Sequence, residues 1–125
     1  IDPALNTSEE REEFYKFNIP VFWGGPVETK QIFILHSNEY QSESTSKYGD
    51  ISISQDYKIL FDIAKKKGPK KSLVILGYSG WGSGQLEGEM DRDHWILSDI
   101  DLNIIFDSQP NDKWNEAYKN SFIKI

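Results

Sequence analysis

At 125 residues, with 38% hydrophobic side chains and 17 aromatic ones (Trp 4, Tyr 6, Phe 7), the chain holds material for one globular domain, read as residues 1–125. A formal net charge of -6 argues against direct nucleic-acid binding, which draws its affinity from clustered Lys and Arg. The absence of cysteine excludes a disulfide framework, a thiolate nucleophile and a Cys-based zinc site, and no apolar run approaches the roughly 18 to 20 residues needed to span a bilayer, so a cytoplasmic protein without membrane contact is expected.

Taken in chain order, Thr7 and Glu10 have the spacing of a capping box, which predicts a short helix over 8–16. Pro20 to Trp23, then Gly24-Gly25-Pro26, then Gln31 to Leu35 predict strand, Gly-rich turn, strand. Residues 37–50 are polar and without apolar periodicity, which predicts an exposed loop. Asp50 to Ser54 alternates apolar and polar residues as a half-buried strand would, and Ser54 is placed to cap a helix. That helix carries Tyr57, Leu60, Phe61 and Ala64 on one face, has Asp56 in its first turn and Lys65, Lys66 and Lys67 in its last, and stops at Gly68-Pro69.

Leu73-Val74-Ile75-Leu76 is the most apolar run and predicts a central strand covered on both faces. A line of five glycines follows between Gly77 and Glu89, then a short helix from Gln85 to Met90. His94 to Leu97 and Leu102 to Phe106 read as further strands, and Pro110 opens a last helix with Trp114, Ala117, Tyr118 and Phe122 on one face. Strands and helices mix without a regular βαβ rhythm, which favours α+β with a mixed sheet.

The glycine line invites three chemical readings. A phosphate loop needs Gly-Lys followed by Ser or Thr, yet no Lys lies between Lys71 and Lys113, and the dinucleotide pattern breaks at Gln85. A nucleophile elbow nearly forms at Gly77-Tyr78-Ser79-Gly80-Trp81, with Trp where the second glycine belongs. Its general base would have to be His36 or His94. The acids Glu87, Glu89, Asp91 and Asp93 lack the pattern of a calcium loop and read as a solvated face, so neither a metal nor a cofactor is expected. Trp81, Trp95 and Trp114 could line a cleft, although aromatics beside apolar runs are usually core. Trp81, between two glycines, either plugs the core or is presented to a partner.

The ordered landmarks Trp23-Gly24-Gly25-Pro26-Val27, Phe33 to His36, the line Gly77 to Glu89, Trp95, Phe106-Asp107 and Trp114 resemble those of the AlgH/YqgE family of bacterial proteins. The likeness runs from about residue 20 to 122, and the glycine line is its specific part. It implies an α+β fold with a small barrel-like portion of the sheet flanked by helices. The family has no established activity, although some members are labelled regulators of alginate synthesis or of transcription. It also implies an N-terminal region, resembling Leu-Val-Ile-Asn-Lys-Pro, that this chain lacks.

Three readings of function stay open. One is a non-enzymatic binding or regulatory protein whose contact is the turn of Ser79, Gly80, Trp81, Gly82, Ser83, Gln85 and Glu87, with a small ligand or a protein as partner. Another is a hydrolase or transferase using Ser79 or Ser83 with His36 or His94. In the third, the glycine line is purely structural.

Overall fold

The computed structural model describes residues 18–121; the helix expected over 8–16 and Phe122 lie outside the described residues. The chain divides between Ser79 and Gly80 into two units. The first holds strands β1 (Val21–Trp23), β2 (Val27–His36), β3 (Ser46–Tyr48), β4 (Ile51–Ser54) and β5 (Ser72–Tyr78), with helix α1 (Lys58–Ala64) between β4 and β5. The second holds helices α2 (Gln85–Asp91), α3 (Leu102–Phe106) and α4 (Lys113–Lys119). The fold is α+β. Its sheet is mixed and open, with strands in the order β1-β5-β2-β4-β3.

β1 and β2 are consecutive in sequence, yet β5 lies between them, parallel to β1 and antiparallel to β2. The Gly24–Pro26 loop therefore passes over the end of β5. The Gly24 N–H donates to the Leu76 carbonyl at 2.8 Å. A Cβ on Gly25 would collide with the Tyr78 backbone, and one on Gly77 would collide with the Gly25 carbonyl. Gly77 also has φ +77, the left-handed region that side chains disfavour. Just after the loop, four residues of β2, Glu28 to Gln31, stand against the single residue Gly77 of β5, between Val27 opposite Tyr78 and Ile32 opposite Leu76. Such a bulge bends a strand and re-aims its side chains.

One face of the sheet meets α1. Ile32, Ile34 and Val74 from the sheet and Ile59 and Leu60 from the helix form the buried cluster, with Tyr40, Tyr57, Phe61, Ile63 and Leu76 packed around it. The alternation in β4 is present but faces the other way: Ser52 and Ser54 are buried, whereas Ile51 and Ile53 are half-buried on the opposite face. The cause is His36, which is fully buried on the same face. Its Nδ1 lies 2.8 Å from the Ser37 carbonyl, which can only accept, so Nδ1 carries a proton and, in the neutral imidazole, Nε2 accepts. Ser54 Oγ donates to Nε2 at 2.8 Å. Thr45 Oγ1, 2.6 Å from Ser54 Oγ, then donates to Ser54. Ser54 points inward because a buried imidazole needs a polar partner, and Ser52, on the same face, donates to Asn38 Oδ1 at 2.7 Å.

Several expectations are corrected. Ser54 ends β4 and does not cap α1, where Asp56 Oδ1 accepts from the Lys58 N–H at 2.9 Å. The helix stops at Ala64, so the three lysines follow it instead of filling its last turn. Gly68 is not the stop: Lys66 takes the left-handed position at φ +60, and Lys66 and Lys67 donate back to the Ile63 and Asp62 carbonyls at 3.1 and 2.8 Å. The region 37–50 is not all loop. It contains β3, and Tyr40 packs on the core with its hydroxyl donating to Asp62 Oδ2 at 2.5 Å. Burial and that carboxylate push the phenol up to about 12.

Two expected strands are absent. Residues 94–97 form no strand, and only an isolated bridge joins Ser98 to Ser121. Residues 102–106 are helix α3, because Asp101 Oδ1 accepts from the Asn103 and Ile104 N–H groups at 3.0 and 3.3 Å and fixes a helical start. The last helix starts at Lys113, not at Pro110, and its aromatic face is exposed. The ammonium of Lys113 donates to the Ile104 and Ile105 carbonyls at the end of α3.

These arrangements give three expected outcomes. Replacing Ser54 with Ala leaves Nε2 of a buried imidazole without a donor and should lower stability by about 1–3 kcal/mol in urea denaturation; a loss under about 0.5 kcal/mol would show that the pair does not matter. Gly77→Ala should cost about 3 kcal/mol, since it adds a left-handed strain to a backbone collision. Gly80→Ala, where a Cβ meets nothing within 4 Å, should change stability by less than about 1 kcal/mol in the same assay.

Candidate functional site

The expected contact turn crosses the division of the chain. Ser79 is the last residue of the first unit. It follows β5, whose Tyr78 meets Phe33 edge-on at 5.7 Å. The remaining residues belong to the second unit and are built around the start of α2. Gly84 precedes the helix at φ +75, which spares it the strain a side chain would bring. The Gln85 N–H donates to the Gly82 carbonyl at 3.0 Å, and the Gly82 N–H donates to Gln85 Oε1 at 2.9 Å. Gln85 is thus engaged in closing the turn. Ser83 and Glu87 are exposed.

At the other end of α2 the chain reverses. Asp93 is left-handed at φ +60; its N–H donates to the Met90 carbonyl at 3.0 Å, and the His94 N–H donates to the Glu89 carbonyl at 2.9 Å. This is a Schellman closure with Asp where glycine is usual. It brings Trp95 back along the helix, and the Trp95 indole donates to Glu89 Oε1 at 3.0 Å. Trp81 meets Trp95 edge-to-face, with centroids 5.6 Å apart and planes at 75°. Both rings remain open to solvent, at 42% and 48% exposure. The core placement expected for Trp95 and Trp114 is therefore corrected, the latter being 68% exposed, and of the two alternatives left open for Trp81 the ring does not plug the core.

Glu89 is the polar centre of this cluster. The Trp95 hydrogen bond holds its carboxyl below the usual range against a smaller opposing effect of burial, helped by the Trp81 and Gln85 side chains and the nearby His94. The carboxylate stays ionised under the two indoles, so the cluster disfavours anions. The Trp81 and Gln85 side chains both reach the Glu89 carboxylate, whereas Glu87 lies outside the cluster. Glu89 and Trp95 were the residues the expected turn omitted. A signal existed, namely an acid on the helix and an aromatic six positions on, but it required the reversal at Asp93.

The register of the sheet separates Ser79 from His36. His36 pairs with Ser72 at one end of β5, and Ser79 follows Tyr78 at the other. At about 3.3 Å per strand residue, the two are roughly 20 Å apart. His36 is also committed to Ser54. Among the described residues no hydrogen bond joins Ser83 to His94, and no group of three or more His, Asp or Glu side chains could hold a metal ion. No described helix is long and apolar enough to cross a membrane.

The sequence profile of the family described as AlgH-like matches residues 3–125. A UPF0301 protein of Rickettsia akari is 42% identical over 103 residues, covering 82% of this chain and 54% of its own length. A UPF0301 protein of Bordetella petrii is 43% identical over 100 residues, covering 80% of this chain and 50% of its own length. The chain thus spans about half the length of these curated relatives. The solution structure of the AlgH protein from Pseudomonas aeruginosa superimposes with a TM-score of 0.73 at 35% identity, over 94% of this chain and 59% of that one. With the glycine line, the mixed sheet and this extent of likeness together, the chain belongs to the AlgH-like family of bacterial proteins.

Proposed function

We propose that this chain is a cytoplasmic, non-enzymatic binding or regulatory protein whose contact surface is the turn from Ser79 to Glu87. The observation that carries the reading is the exposed, edge-to-face pair of Trp81 and Trp95 held over the Glu89 carboxylate. Two large rings fixed in one geometry offer contact area at low conformational cost, which is why Trp recurs at the centres of binding surfaces. Gly80 and Gly82 support the same reading. A Cβ at Gly80 would meet nothing within 4 Å, and one at Gly82 would meet only Gln85 Oε1 at 3.7 Å. Internal packing does not demand glycine on either side of Trp81, whereas close approach of a partner to the backbone would.

Trp81→Ala and Gly82→Ala are the testing variants. Both should retain stability to within about 1 kcal/mol, because neither position supports the buried cluster. Each should lose at least about tenfold in the recovery of partners cross-linked to the intact chain in a bacterial lysate. Unchanged recovery with both variants would overturn the reading.

The depressed carboxyl also sets a pH signature. A group whose folded value lies below its ordinary 4.5 contributes stability above that value and loses it as pH falls through the folded one. The near-ultraviolet circular dichroism of the indole pair should therefore hold steady from pH 7 to about 4.5 and fade only below it. Glu89→Gln should remove that acid transition.

A further inference from the structure

The second unit has another cleft that the turn does not use. The segment 93–98 and helix α4 enclose about 450 Å³. Its walls are Trp95 and Ile96 on one side and Trp114 and Tyr118 on the other. The last two rings stack with centroids 5.2 Å apart and planes within 7°. The floor is tied down, because Ser98 Oγ donates to the Ala117 carbonyl at 3.1 Å and Ser98 bridges Ser121. Asp93 and His94 belong to its lining, and neither Lys nor Arg lines the cleft.

The charge around it is one-sided. From Gly80 onward the chain has nine carboxylates against four Lys and Arg, a formal excess of five negative charges out of six for the whole chain. One of the four is already occupied, since Lys113 donates to the Ile104 and Ile105 carbonyls. A volume near 450 Å³ falls within the range of small-ligand sites. Aromatic faces attract cations through their quadrupoles, most strongly when the cation sheds little water on binding. A quaternary ammonium meets that condition because it has no N–H to leave unpaired.

From this we infer that the cleft between residues 93–98 and α4 binds a small organic cation of the quaternary ammonium type, with its methyl groups against the Trp95 ring and one side of the Trp114–Tyr118 stack and with Asp93 in its lining. The inference is separate from the turn around Trp81, although Trp95 borders both.

The test is a titration of the intact chain with choline at constant ionic strength, read by the indole N–H signals in nitrogen-15 correlated NMR spectra. The four tryptophans, Trp23, Trp81, Trp95 and Trp114, are assigned from single Phe variants. Choline should shift Trp95 and Trp114 saturably and leave Trp23 in place. The neutral isostere 3,3-dimethylbutan-1-ol should bind about tenfold more weakly, since it keeps the shape and loses the charge. Trp114→Leu should weaken choline about tenfold, and its 68% exposure favours retention of the fold. Asp93→Asn should weaken choline severalfold while keeping the left-handed turn, which Asn also tolerates. Equal binding of the neutral isostere, shifts unaffected by both variants, or no saturable shift at all would each overturn the inference. Gly82→Ala separates the two proposals, because it should weaken the turn's contacts and leave choline binding in the cleft intact, Gly82 touching none of the cleft's lining.

Discussion

The first unit depends on one constraint: β5 has to enter between two strands that are consecutive in the chain. β1 and β2 cannot hydrogen-bond to each other once β5 lies between them, so the link between them must arch over its end. That link is only Gly24, Gly25 and Pro26. Side chains at Gly24 or Gly25 would strike β5, and a side chain at Gly77 would strike the link from below. The two glycine motifs, some fifty residues apart in sequence, are therefore two sides of one crossing. The crossing also fixes the distribution of chemistry, because it sets the register that puts His36 at the Ser72 end of β5 and Ser79 beyond the other.

The glycine line consequently performs different tasks along its length. Gly77 belongs to the crossing, and Gly84 supplies the left-handed residue that opens α2. Gly80 and Gly82 have neither role, and Trp81 stands between them. Both α1 and α2 close through left-handed residues that are not glycine, Lys66 and Asp93. Each makes the paired closing hydrogen bonds of a Schellman motif, which offset the strain of a side chain in that region. At Asp93 this closure decides where Trp95 goes, and with it the environment of Glu89.

What was legible in the sequence follows from how local each determinant is. The strand at β5, the periodic stripe of α1 and the strand before Gly24 are set within a few residues and read correctly, whereas the expected cover on both faces of β5 is not found, since Leu73, Ile75 and Leu76 are only half-buried. The β4 alternation was legible as a strand, but its faces were not, because they depend on the imidazole brought alongside by β2. Residues 102–106 misled because Ile104 and Ile105 favour strands, whereas the Asp101 cap was a single side chain against that pattern. The lysine end of α1 was read from Gly68, the expected residue type, while the chain reversed two residues earlier at Lys66. In the site, Trp81 and Gln85 were visible as features of the glycine line. Their meeting with Trp95 and Glu89 was not, since it requires a reversal with no glycine to announce it.

Electrostatics narrows the chemistry that family membership leaves open. The chain up to Ser79 is nearly balanced, with eleven carboxylates against ten Lys and Arg, whereas nine stand against four from Gly80 onward. The acidic character therefore belongs to the second unit, where the exposed rings of Trp81, Trp95, Trp114 and Tyr118 also lie. Aromatic faces alone would hold apolar partners as well as cations, with a modest preference for the cation. Carboxylates alone would draw hydrated ions that gain little from the surface. Placed together they favour a partner that is both positively charged and weakly hydrated, because such a partner gains from the rings and the acids without a large desolvation cost. The same combination works against phosphate groups at the start of α2, where Glu87 occupies the first turn and the seven-residue helix provides little dipole to oppose it.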